Sequence, residues 1–159
     1  VKTSVDVHNY LQTEEVPHEI FLLKSPTKTA ERTAALLGLN LDEVIKSVIL
    51  IADDKPILAI VPGDRKVSYK KMKDTLRVLR VRLAEPQEVI DLTGYVLGAT
   101  PPLAHQKKFY TLIDRTAIDK QILYTGCGEV NALLKIRPED LIEVTEAQVA
   151  DITDPIDEA

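Results

Sequence analysis

The chain has 159 residues, 45% hydrophobic and 28% charged, with a formal net charge of −5. That supplies one full apolar core, and no stretch nears the roughly 18 uninterrupted apolar residues of a membrane-spanning helix. One cysteine, Cys127, excludes an internal disulfide, and with three scattered histidines it disfavours a zinc cluster.

Val1 to Asp6 lack an apolar secretory segment, which with the lone cysteine makes the expected compartment cytoplasmic. Residues 4–13 read as a short helix and Glu19 to Leu23 as a strand. Thr27 or Thr29 is placed to cap a helix running through Ala35 and Leu37, with Gly38 as its left-handed stop. Asn40-Leu41-Asp42-Glu43 has the spacing of a capping box. Ser47 to Ile51 and Pro56 to Val61, joined at Asp53-Asp54-Lys55, read as a hairpin. Ser68 caps a helix through Leu76, and Val78 to Leu83 alternates apolar and basic residues as an edge strand does. Pro86 to Leu92 is helical. Phe109 to Ile113, Ile122 to Tyr124 and Ala132 to Ile136 are three further strands. A helical turn follows at Pro138 to Leu141, then a polar, frayed tail from about residue 146. Strands broken by short helices predict an α/β (α+β) domain spanning 1–159, with a mixed, largely antiparallel sheet. No long helix follows each strand, which disfavours a doubly wound topology.

The charge is uneven. Residues 63–82 carry eight basic and two acidic side chains, whereas residues 137–159 carry eight acids and one base. Such a basic run is either a solvated helix face or a phosphate-facing patch on an otherwise acidic protein. Lys70, Lys71 and Lys73 are its candidates for contact with RNA phosphates. The overall negative charge disfavours a general DNA-coating role.

Several chemistries are missing. There is no GxGxxG or GxxxxGK[ST] phosphate cradle, no GxSxG elbow and no HExxH. His8, His18 and His105 sit in unrelated contexts and read as surface or structural residues. Cys127 lies between Gly126 and Gly128, a setting that could expose it, but a lone cysteine without a histidine signature reads as packing rather than as a nucleophile.

Two features stand out. Lys46 lies inside the apolar run Val44-Ile45-Lys46-Ser47-Val48-Ile49-Leu50-Ile51, where alternation puts Lys46, Val48 and Leu50 on one face. A lysine there either snorkels to solvent or is a cation fixed on a rigid strand and aimed into a pocket. The second feature is Gly94-Tyr95-Val96-Leu97-Gly98-Ala99-Thr100-Pro101-Pro102. Gly98 permits close backbone approach, and the two prolines stiffen the chain and remove two N–H donors. The pattern is either an ordinary turn or a rigid loop that presents fixed backbone groups.

At these two features the sequence resembles the YbaK/prolyl-tRNA synthetase-associated editing-domain family. The resemblance runs over about residues 4 to 145. It is carried by Leu36-Leu37-Gly38-Leu39, the lysine-bearing strand around Lys46, and Leu58-Ala59-Ile60-Val61-Pro62-Gly63-Asp64. The GxxxP loop from Gly98 to Pro102, Thr111-Leu112-Ile113-Asp114 and the turn Gly126-Cys127-Gly128 complete it. It implies a curved mixed sheet and hydrolysis of the ester joining a wrong amino acid to the 3′ end of a transfer RNA. The substrates would be of the tRNA-Pro type and the enzyme free-standing, acting in trans. A non-catalytic tRNA- or synthetase-binding module of the same fold is the alternative. The implied partners are the aminoacyl-tRNA 3′ end and, as a second candidate, a synthetase; no cofactor, metal or membrane is implied. Lys46 would supply positive charge to the reaction. Gly98, Ala99, Thr100, Pro101 and Pro102 would orient the carbonyl, and Gly126, Cys127 and Gly128 would border the amino-acid pocket. Ala104 stands where many members have a glycine, and Ala132-Leu133-Leu134 lacks an acid that some cysteine-directed members carry.

Overall fold

The computed structural model describes residues 1–27 and 29–156. In chain order the helices are α1 (Ser4–Thr13), α2 (Ala30–Leu37), α3 (Tyr69–Leu76), α4 (Pro86–Thr93) and α5 (Pro138–Thr145). The strands are β1 (Glu19–Leu22), β2 (Ile45–Ala52), β3 (Lys55–Pro62), β4 (Arg65–Val67), β5 (Val81–Leu83), β6 (Tyr110–Asp114), β7 (Leu123–Gly126), β8 (Ala132–Ile136), β9 (Gln148–Ala150) and β10 (Thr153–Pro155). A five-stranded sheet has the order β5-β2-β3-β6-β9, beside a three-stranded sheet β1-β8-β7 and the pair β10-β4. Only the β3–β6 and β6–β9 pairs are parallel. This is the mixed, mostly antiparallel α+β architecture expected from the sequence.

Local chemistry explains the elements. Thr29, not Thr27, caps α2 by accepting from the Arg32 amide, and Gly38 ends the helix at φ 67°. Ser68 caps α3 in the same way through the Lys71 amide. The β2–β3 hairpin turns at Asp53 and Asp54, both with positive φ (44° and 73°), the two-residue geometry that matches strand twist.

β3 lies at the centre of the large sheet and is buried on both faces. Leu58 and Ile60 belong to the main core, whereas Ile57, Ala59 and Val61 belong to a second core beneath Met72 of α3. That double burial is why its sequence is a continuous apolar run rather than an alternating one.

Two expectations need correction, and one strand was not foreseen. The strand expected at Val78–Leu83 is paired only from Val81, because the Asp53 carboxylate accepts from the Leu79 and Arg80 amides and holds that stretch as a turn. The short strand β4 had no sequence signal of its own. The end of the chain is not frayed through residue 155: β9 extends the large sheet and β10 pairs with β4. Ile152 is fully buried between them, and its amide donates to Asp114. The acids around it find cations. Lys71 Nζ lies 3.1 Å from both Asp151 and Asp154, and Arg65 donates to Thr153 Oγ1 at 2.6 Å. Part of the basic run and part of the acidic tail therefore neutralise each other within the molecule.

Candidate active site

Between β2 and β7 the two sheets touch at one bridge, Val44 with Tyr124, and then diverge. β5 covers β2 only from Leu50 onward. The edge of β2 from 45 to 48 is therefore without a strand partner among the described residues. Val44 accepts from Gly63 on the β3 side and Ile49 from Ala84 on the other. Alternation then turns the amide and carbonyl of Ser47 toward the open edge.

A cleft of about 440 Å³ opens along this edge. One wall is β2 from Val44 to Ile49; Gly98 and Thr100 face it, and Gly126, Ala132 and Leu133 close one end. The first turn of α2 stands at the mouth with Thr29, and Leu83, Ala84 and Val89 form an apolar end.

Lys46 is half-buried and is the only basic side chain among the described residues of the lining. No described residue bonds or pairs with its ammonium group. On the opposite face of β2, Ser47 Oγ is buried with no hydrogen-bond partner among the described residues. The Gly98 and Thr100 amides also donate to no described group, whereas the Ala99 amide between them is bound to Val96 O at 3.2 Å. Lys46 and the Gly98 and Thr100 backbone thus share one concavity, with hydrogen-bonding capacity that no described residue uses. Unused donors and an unanswered cation in one concavity make it the candidate site for a polar ligand.

The Gly98–Thr100 part of the loop is held by hydrogen bonds of its own. Gly98 has φ 89°, a conformation that favours glycine. The Thr100 hydroxyl donates to Val96 O, and the Gly128 amide donates to Ala99 O at 2.8 Å, joining the glycine turn to the loop. A Cβ on Gly126 would lie 3.4 Å from Thr100 O, and one on Gly128 would strike Thr3 at 2.8 Å. Among the described residues no group of three or more His, Cys, Asp or Glu could hold a metal, and no helix is long and apolar enough to cross a membrane.

Residues 24–144 match the family model of the aminoacyl-tRNA editing domain. The chain belongs to that family. A crystal structure of a hypothetical protein superposes on this editing domain with a TM-score of 0.89 at 32% identity, covering 94% of this chain and 99% of the other. A candidate trans-editing enzyme for prolyl tRNA synthetase superposes equally well, with a TM-score of 0.89 at 25% identity over 97% and 98% of the two chains. The chain is also 24% identical to a candidate Cys-tRNA(Pro)/Cys-tRNA(Cys) deacylase of Enterococcus faecalis, over 79% of this chain and 77% of that protein. A proline–tRNA ligase of a Geobacter species matches 68% of this chain at 29% identity, but the match spans only 19% of the ligase.

The editing-domain cleft brings together four of the residues singled out from sequence: Lys46, Gly98, Thr100 and Gly126. The others lie elsewhere. Ala99 and Pro101 are buried in the loop, Pro102 lines a smaller cavity behind it, and Gly128 acts through its hydrogen bond to Ala99. Cys127 is fully buried in the main core and outside the cleft lining, so its glycine neighbours do not expose it. Burial, with Glu129 adding to it, pushes its thiol up to about 12, which leaves no thiolate for chemistry at neutral pH.

Lys70, Lys71 and Lys73 are not in the cleft. Lys71 is engaged by the tail as described. Lys73 lines a separate depression of about 520 Å³ with Arg80 and Arg82. Strand β5 connects the two hollows, with Arg82 in the depression and Leu83 in the cleft. Sequence reasoning missed Ser47 and the first turn of α2. A serine next to a lysine carries no pattern, and only the divergence of the sheets makes that strand edge a wall.

Proposed function

We propose that the chain is a deacylase that hydrolyses the ester between an amino acid and the 3′ end of a mischarged transfer RNA, with tRNA-Pro-type substrates. The observation that carries this reading is the unpaired Lys46 ammonium facing the Gly98–Thr100 segment across one cleft. An aminoacyl ester is already activated, so catalysis needs positioning and charge stabilisation more than a protein nucleophile. Water adds to the ester carbonyl, and the Gly98 and Thr100 amides are the fixed donors for the oxygen that gains negative charge. The bond from the carbonyl carbon to the ribose oxygen then breaks. That oxygen takes one of the two protons of the added water, and the amino acid leaves as its free carboxylate, with the second proton passing to solvent.

Lys46 supplies positive charge to the developing anion or to the terminal phosphate. At 4 Å such a pair is worth about 4 kcal/mol at an effective dielectric near 20. The editing-domain match and the deacylase-named relative support the reaction class. The proline–tRNA ligase relatives favour tRNA-Pro. Phosphates beyond the terminal nucleotide would meet Lys73 and Arg80, with Lys70 exposed on the neighbouring helix.

The test is incubation with a panel of mischarged tRNAs. Release of one amino acid at catalytic protein concentrations supports the reading. Binding without turnover would make the chain a tRNA-binding module instead, and the absence of both would remove tRNA from its function.

A further inference from the structure

The loop that faces Lys46 has an unusual anchoring problem. Pro101 and Pro102 carry no N–H, so this stretch is fixed only through carbonyls and packing. Packing is incomplete behind it, where a cavity of about 100 Å³ is lined by Pro102, Leu103, Ala104 and His105. The loop therefore has space to retreat from the cleft.

We propose that His105 is a positioning residue that holds the loop against this retreat through a hydrogen bond to the Pro101 carbonyl. Its Nε2 lies 2.7 Å from Pro101 O. A carbonyl only accepts, so Nε2 carries the hydrogen and the tautomer is fixed. The ring is clamped edge-on between Tyr95, at 5.9 Å between centroids, and Phe109, at 5.1 Å. Ala104 supplies the reversal that lets His105 reach back four residues. Its φ is 63°, and its carbonyl is pinned by the Tyr95 hydroxyl at 2.8 Å. Burial, with a smaller contribution from Lys2 and against the bond to Pro101, brings the imidazole down to about 4. It is therefore neutral at physiological pH and keeps an uncharged donor on the loop.

Two rungs connect this clasp to the cleft, Ala99 N–H to Val96 O and Gly128 N–H to Ala99 O. Among the described residues, the hydrogen-bond and ring partners of His105 are Pro101, Tyr95 and Phe109, none of them in the cleft lining, so its effect passes through the loop. The catalytic arm of the test rests on the deacylase reading above; the exchange arm does not.

The experiment compares the full chain with His105→Leu, which keeps bulk without a donor, and His105→Gln, whose amide can donate to the same carbonyl. Hydrogen exchange of the Ala99 and Gly128 amides should quicken about tenfold in the leucine variant, the loss of one hydrogen bond, and return toward the parent rate in the glutamine variant. On a mischarged tRNA that the parent hydrolyses, kcat should fall about tenfold in the leucine variant while KM moves less than about threefold. Glutamine should restore most of kcat. Equal exchange rates in parent and leucine variant overturn the proposal, whatever the activity. A parent that hydrolyses no mischarged tRNA overturns the deacylase reading and leaves exchange to judge the loop. If the leucine variant does not fold, nitrogen NMR of the parent imidazole decides. An Nε2–H tautomer at neutral pH supports the clasp, and a hydrogen on Nδ1 or a protonated ring overturns it.

Discussion

Two lysines on adjacent parts of the molecule have opposite fates. Lys71, on α3, spends its ammonium on Asp151, Asp154 and the Thr153 carbonyl, and with Arg65 it fastens the last strand to the body. Lys46, on the open edge of β2, has no described partner for its ammonium group. The seam under α3 is a satisfied polar network, and such networks hold a fold in one arrangement. The cleft keeps a cation that no described residue answers, as the proposed ligand site requires. Unspent hydrogen-bonding capacity, rather than charge density, separates the cation proposed to act on substrate from the structural one. Part of the basic run that the sequence singles out is answered from within the chain, at Lys71 and Arg65.

The largest expected effect breaks the comparison at Lys46. Lys46→Ala should lower deacylation well over tenfold, because a stabilisation of about 4 kcal/mol is at stake and each ~1.4 kcal/mol is tenfold. The thermal midpoint should hardly move, since the ammonium has no partner to lose. Unchanged turnover by the folded variant would remove Lys46 from the mechanism.

Acid titration should separate the two regions. The imidazole of His105 goes from an ordinary 6.5 to about 4 on folding. Between those values the unfolded chain binds a proton that the folded chain does not. Stability is therefore lost as pH falls from about 6.5 to 4, and the loss then levels off. The seam acts lower. Lys71 holds Asp151 below its ordinary 3.8, so that contribution is present above this value and lost only on further acidification. Denaturation midpoints against pH should thus fall in two windows, and His105→Gln should flatten only the upper one. A variant that loses stability over pH 6.5–4 as steeply as the parent would show that His105 is not the group responsible.

The lysines of α3 sharpen the contrast at smaller cost. Lys71→Glu should lower the thermal midpoint by facing Asp151 and Asp154 with a like charge, and leave hydrolysis of a minimal aminoacyl-nucleotide intact. Lys70→Glu with Lys73→Glu should do the reverse. The midpoint should stay, tRNA binding should weaken, and its salt dependence should flatten because fewer counterions are released. Binding isotherms that overlay the parent's at low salt would exclude this face as the RNA surface.

The smallest effect is at Ala104, in the left-handed region at φ 63°. Ala104→Gly relieves strain of about 1 kcal/mol and gives back a similar amount in unfolded-chain entropy. The expected net change in stability is within about 1 kcal/mol, with activity retained. Loss of activity would mean that the alanine methyl itself shapes the loop.

What the sequence determined by itself was local. Thr29, Ser68 and Gly38 set helix ends through one or two bonds with near neighbours, and the Asp53-Asp54 turn needed only its own dihedrals. The GxxxP spacing and the lysine in an apolar strand identified the family and two walls of the cleft. Other features depended on residues far apart in the chain. Ile152 was buried among acids because Asp114 accepts its amide across 38 positions, and β4 existed because β10 paired with it. Cys127 was inert because the core closes over it, and His105 gained a task because Ala104 turns it back toward Pro101. The cleft itself came from the divergence of two sheets after a single bridge at Val44. No residue encodes that gap, because it depends on which strand edge is left unpaired once every other strand has found its neighbour.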